Sequence, residues 1–375
     1  MNEKGISEIR RRLRPEKNNI GRIRGCYVND NHEIISEFDF NFGLISTDES
    51  EEILSLLRRT LSGSVARNLI DIPFTNQQVS DSDEHRLLSL LRNSSLSDDD
   101  AAKRFFKIAV DTIDIEGSYI LILANDKYDI FKHDENGDKS DSSEVFSYIV
   151  CAACPIKNSK PLLGFNLNEK KFKNIIKDSI IANPEIGFMF PAFDDRSANI
   201  YNAMFYTRDV SVAHNDFLNA VFGYNVNKTA TEQAESIASI LAETINEDCD
   251  LELIQSMHGQ LLEIHADHKN NKEVEPLLLS SREMKSLLRC GGASEDAINS
   301  FNERFEEDFG SSVEIPPANI IDIKKFELKT PDVTVKVSPD HSDLIQTKII
   351  NGTKYILIRA DGDVEVNGIK ININD

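Results

Sequence analysis

At Ser118 the hydrophobic period of this chain changes from helical to strand-like and stays so as far as Tyr206. Apolar, β-branched and aromatic side chains cluster at 119–124, 128–131, 145–151, 162–167, 186–190 and 200–206. Alternation of this kind marks strands, and the connections are mostly short and polar. Parallel strands need crossovers of about a dozen residues or more, so hairpins and antiparallel pairing are expected. Residues 169–181 interrupt the pattern with amphipathic spacing and are expected to be a helix. The fold class that follows is α+β, mostly antiparallel, rather than a doubly wound sheet.

The flanking segments are better punctuated. Ile6, Ile9 and Leu13 lie at helical spacing before Pro15, and two strands, 21–28 and 33–38, follow around a turn-rich Asn29 to His32. Ser46 with Glu49 reads as a capping box opening a helix that Gly63 closes; Ser80 or Ser82 and then Ser97 open two more. Residues 211–312 have almost no strand signal and read as four or five helices, the clearest running from Ser280, with Glu283, to Cys290 before Gly291. After the linker-like Glu314-Ile-Pro-Pro317, the dipeptides Asn351-Gly352, Asp361-Gly362 and Asn367-Gly368 sit between β-rich runs, the signature of two-residue hairpins. Three regions are expected: an α+β domain over 1–210 with a basic N-terminal arm, an acidic helical region over 211–312, and a small β-meander over 313–375.

Charge divides the chain sharply. Of its 375 residues 63 are acidic and 42 basic, yet residues 1–25 are +5, which leaves −26 on the rest. The 211–312 region alone has 19 acidic and seven basic side chains. Phosphate binding needs clustered Lys and Arg, so nucleic acid contact is confined to the arm, through Arg10, Arg11, Arg12 and Arg14. The competing reading docks the arm on the chain's own acidic surface. No apolar run approaches the length of a membrane span, the N-terminus lacks a secretory h-region, and five cysteines make no disulfide framework. A cytoplasmic, membrane-free protein is expected.

Several stretches together resemble one family: Ile6 to Pro15, Asp81 to Leu88, Cys151-Ala-Ala-Cys-Pro-Ile-Lys157, Gly187 to Asn202 and Tyr355 to Ile369. The chain resembles the bacterial domain-of-unknown-function family forty-three-seventeen nearly end to end. That resemblance implies a bacterial, cytosolic protein whose regions travel together, and it transfers no catalytic residue, cofactor or partner.

The chemistry must therefore come from the residues. Cys151 and Cys154 form a C-x-x-C, a candidate metal or redox pair, but the prolines after it argue against the helix N-terminus that lowers a thiol pKa in redox sites, and no second C-x-x-C supplies zinc ligands. Asp194, Asp195 and Arg196, between two apolar runs, could hold a divalent cation and clamp a phosphate; the plainer reading is a polar turn. His258, His265 and His268 lack the i, i+4 spacing of zinc proteases, and His85 reads as a helix N-terminal residue. The loop 133–141 departs from a calcium loop at the glycine and at the twelfth position. The acidic second helix of the pair at 280–309 is unsuited to a major groove. Nucleotide-loop and serine-hydrolase motifs are missing, and no cofactor is expected. The reading is a non-enzymatic protein-interaction or adaptor protein with an unidentified protein partner. The alternatives are a metal-dependent hydrolase or nuclease-like enzyme centred on Asp194, Asp195 and Arg196, and nucleic acid contact through the arm.

Overall fold

The strand-rich stretch builds the middle of an antiparallel sheet in a computed structural model. The structure describes residues 1–133, 139–157, 162–166, 170–175, 180–194, 196–245, 249–271, 277–311, 313–322, 325–360, 362, 364–366 and 368–371. Chain contacts divide it into two compact units that part between Thr229 and Ala230.

The first unit opens with α1 (Glu3–Arg12), capped by the Asn2 side chain, then β1 (Arg22–Val28) and β2 (Ile34–Asn41). The Ser46–Glu49 capping box starts α2 (Thr47–Arg59), as its sequence predicts. Next come β3 (Leu69–Pro73), α3 (Asn76–Asp81), α4 (Asp83–Asn93) with Ser82 as N-cap, and α5 (Asp99–Thr112), whose N-cap is Asp98 rather than Ser97. Two of the expected strands prove to be one long strand, β4 (Tyr119–His133), paired along its length with β5 (Lys139–Lys157).

The expected helix at 169–181 is not formed. Its described residues lie in β7 (Lys171–Ile175), which pairs with β6 (Leu162–Asn166), and in β8 (Ile180–Ile181), which pairs with the end of β5. The Phe165 and Phe172 rings meet edge to face across the β6–β7 hairpin. Such cross-strand pairs stabilise a ladder, and here pairing outweighs the helical spacing of the apolar residues. The unit closes with β9 (Ile186–Phe190), the short hairpin β10 (Ala192–Asp194) and β11 (Ser197–Asn199), then β12 (Asn202–Thr207) and α6 (Asn215–Phe222).

The main sheet has the order β2-β1-β4-β5-β9-β12-β3, antiparallel throughout, with β2 and β3 at its edges. Each central strand is apolar on both faces because helices cover both. On one face Leu121, Cys151, Phe188 and Phe205 pack with Leu88, Phe105, Phe217 and Phe222 from α4, α5 and α6. On the other, Ile122, Cys154, Met189 and Met204 pack with Ile6, Ile9, Leu54 and Leu57 from α1 and α2. Helix α6 thus belongs to the sheet core, so the compact unit runs past the boundary expected at 210.

The second unit has its own core. Helices α7 (Ala230–Thr244), α8 (Leu251–Asn271), α9 (Ser281–Cys290) and α10 (Glu295–Phe309) bury Ile240, Leu261, Leu288, Phe301 and Phe305 together with Ile315. The β region that follows takes the form of three successive hairpins: β13 (Phe326–Lys329) with β14 (Thr334–Val337), β15 (Ile345–Ile350) with β16 (Thr353–Ile358), and β17 (Val364–Val366) with β18 (Ile369–Ile371). Both turn residues between β15 and β16, Asn351 and Gly352, have positive φ, as a type I′ turn requires. The Gln255 side chain on α8 holds the hairpin's root, donating to the carbonyls of Ser342 and Ile345 at 2.6 and 2.9 Å.

Candidate functional site

The basic arm is a docked helix. Ile6, Ile9 and Leu13 are buried against the sheet, and α1 passes so close to β10 that a Cβ on Gly5 would lie 2.6 Å from the Phe193 carbonyl oxygen. The Met1 ammonium donates to Asp71 at 2.9 Å and lies 3.5 Å from Asp194. The four arginines divide. Arg12 points inward, with Nε 3.4 Å from the buried Asp126 carboxylate and its guanidinium 4.4 Å over the Tyr128 ring. Asp126 also accepts from the Tyr148 hydroxyl at 2.7 Å and from the Asn19 amide at 2.6 Å. Burial and that carboxylate push the Tyr148 phenol well above its ordinary pKa. Arg10, Arg11 and Arg14 are exposed and make no ion pair with a described residue. One arginine thus anchors the arm, and three face solvent.

Asp194 and Arg196 are brought together in the β10–β11 hairpin but do not converge. Asp194 accepts from the Asn199 amide at 2.8 Å and faces the Met1 ammonium, while Arg196, in the left-handed region at φ 58°, reaches Glu8 at 3.6 Å. Glu8 in turn accepts from the Tyr128 hydroxyl at 2.6 Å. Asp195 lies outside the described residues. Asp194 therefore faces donors that already satisfy it, and Arg196 pins α1.

Cys151 and Cys154 are three residues apart on β5, so their side chains leave opposite faces of the sheet. Cys151 packs in the core under α5, Cys154 in the core under α1 and α2. They cannot close on one metal or on each other from these positions. Burial raises both thiols, Cys154 to about 12 and Cys151 well above its ordinary value. His258 is buried against Phe326, with Nε2 3.3 Å from the Asp322 carbonyl oxygen. His85 is buried in α4, its Nε2 2.9 Å from the Ile200 carbonyl oxygen. Residues 134–138 of the calcium-like loop lie outside the described residues.

The structure adds a site that carries no sequence motif. Between β2 and α2 runs an open groove of about 800 Å³, floored by Phe40, Leu44, Ile45, Ile53, Leu56 and Ile181 and rimmed by Asp48, Glu49 and Glu52. Its origin is local. Gly25 on β1 has no Cβ to obstruct Phe38, whose ring comes within 2.3 Å of where that atom would stand. Phe40 stacks on Phe38 at 5.3 Å and remains half exposed. Leu44 follows in the connection to α2 and is 85% exposed. The Ser46–Glu49 box then fixes the first turn of α2, where acidic residues complement the helix dipole, and sets Asp48 and Glu52 along the opening. Neither makes an ion pair with a described residue. The sequence signal was present: Phe38-Asp-Phe-Asn-Phe-Gly-Leu-Ile45 is unusually apolar for a strand end and connection, and an acidic block follows it.

Among the described residues no helix is long and apolar enough to cross a membrane. A family model described as Domain of unknown function (DUF4317) matches residues 1–369. No curated protein and no solved structure matches the chain.

Proposed function

We propose that this chain, which belongs to the DUF4317 domain-of-unknown-function family across residues 1–369, is a protein-docking protein whose recognition surface is the groove between β2 and α2. The observation that carries this reading is the groove's chemistry: an apolar floor open to solvent with three carboxylates on its rim. Exposed apolar patches rimmed by polar groups are where proteins meet partners. The carboxylates select a partner segment that presents aliphatic or aromatic side chains beside Lys or Arg, through complementary potential at the rim. The free edge of β2 alongside offers backbone donors and acceptors to an extended segment.

The test is a pull-down from native extract with nuclease treatment in parallel, comparing the natural chain with Leu44→Ser and Asp48→Lys/Glu52→Lys. A stoichiometric protein partner that survives nuclease and is lost with either variant supports the reading. A partner set unchanged by the groove substitutions refutes it, as does retention that depends on nucleic acid, which would point to Arg10, Arg11 and Arg14.

A further inference from the structure

The β15–β16 hairpin has the chemistry that the groove lacks. Residues 345–359 contain Lys348, Lys354 and Arg359 and no acidic residue, in a chain whose net charge is −21. Its root is fixed, with Ile345 buried, the Arg359 amide donating to the Leu344 carbonyl at 2.8 Å, and the Arg359 guanidinium paired with Asp343. Its body is not covered. Register pairs Ile345 with Ile358, Thr347 with Ile356 and Ile349 with Lys354, so alternation places Ile349, Ile356, Ile358 and Lys354 on one face. Ile349 is 72% exposed and Ile358 57%, and neither Lys348 nor Lys354 pairs with a described carboxylate. Among the described residues β15 and β16 pair only with each other. A lone two-stranded ladder is marginal in water, and its open edges invite another strand.

We infer that the occupant of the groove is the β15–β16 hairpin of a second copy of this chain, its isoleucines on the apolar floor and Lys354, on the same face, against Asp48 and Glu52. This deepens the docking reading and rests on it. The contact joins two different surfaces, so it is heterologous, and each copy offers both halves of it.

The test uses purified full-length chain in sedimentation velocity over a roughly hundredfold range of concentration, at low and moderate salt. The natural chain is expected to associate with rising concentration, less so at higher salt, as screening weakens the rim contacts. Lys354→Glu and Asp48→Lys/Glu52→Lys are each expected to remain monomeric, with unchanged circular dichroism. Mixed together, the two variants restore association, because each again meets a groove and a hairpin of opposite charge. That restoration is an outcome no misfolded variant can imitate. A natural chain monomeric across the range overturns the inference, and so does association that both variants retain. The docking reading survives the first result if Leu44→Ser still loses a partner from extract, so the two can fail separately.

Discussion

Arg12→Ala is the sharpest test of whether the basic arm is part of the fold. In the native chain the Arg12 side chain is 14% exposed and the Asp126 carboxylate 1%, with 3.4 Å between them. Removing one member of such a buried pair costs about 3–5 kcal/mol. Two details set the value within that range. Asp126 keeps its bonds from Tyr148 and Asn19, and the Arg12 Nε faces the carboxylate as an ion pair without an aligned hydrogen bond. Both lower the loss. The missing bond to the Lys127 carbonyl, 3.2 Å long, and the missing cation over Tyr128, worth about 0.5–1 kcal/mol, raise it. The net is about 3 kcal/mol, or about a hundredfold in the opening equilibrium of α1. Arg14→Ala, at an exposed position, should cost no more than about 0.5 kcal/mol. Hydrogen exchange read at the α1 amides measures both, because local opening sets their protection. Equal loss of protection in the two variants would refute the assignment of Arg12 as the anchor.

Two further outcomes follow from buried titratable groups. Cys26, Cys151 and Cys154 are buried with raised thiol pKa values, whereas Cys249 and Cys290 are exposed; a thiol reagent at pH 8 should label two cysteines per native chain and five in denaturant, and rapid native labelling of Cys151 or Cys154 would contradict the two-face placement. His214, at the N-terminus of α6, has its pKa lowered by burial, against the opposing pull of Asp114 and Asp209. The unfolded chain therefore binds this proton more readily than the folded one, so the contribution is present above about pH 6.5 and declines as pH falls. His214→Asn, which tolerates the left-handed backbone at φ 51°, should flatten the pH dependence of the thermal midpoint as pH falls below about 6.5; an unchanged slope would count against it.

Local chemistry explains which elements were legible. The Ser46–Glu49 and Ser280–Glu283 boxes and the Asn351-Gly352 turn satisfy backbone geometry within a few residues, so they act wherever the chain places them. The segment at 169–181 reads as a helix because its apolar spacing suits one in isolation, while the pairing that makes it β, Phe165 against Phe172, involves a residue outside that segment. β3 has no signature of its own because its five residues become a strand only beside β12. The C-x-x-C was conspicuous as a motif, and only its position on a strand divides its two sulfurs. The groove is hard to read in the sequence for the opposite reason: it has no motif, and its floor is assembled from β2, the start of α2 and the remote Ile181.

The run Cys151-Ala-Ala-Cys154 in the middle of β5 has a consequence for how the first unit comes apart. Ile149, Cys151 and Ala153 belong to one core, and Val150, Ala152 and Cys154 to the other. One strand thus forms a shared wall, and its small side chains leave the helices on both sides room to approach. The neighbouring strands β4, β9 and β12 likewise line both layers, so neither layer has a wall that the other does not share. Melting should therefore be all-or-none across residues 1–229, with no half-stripped species retaining one helical layer. A nick in the β4–β5 connection would leave two fragments that must find each other before either can hold a shape.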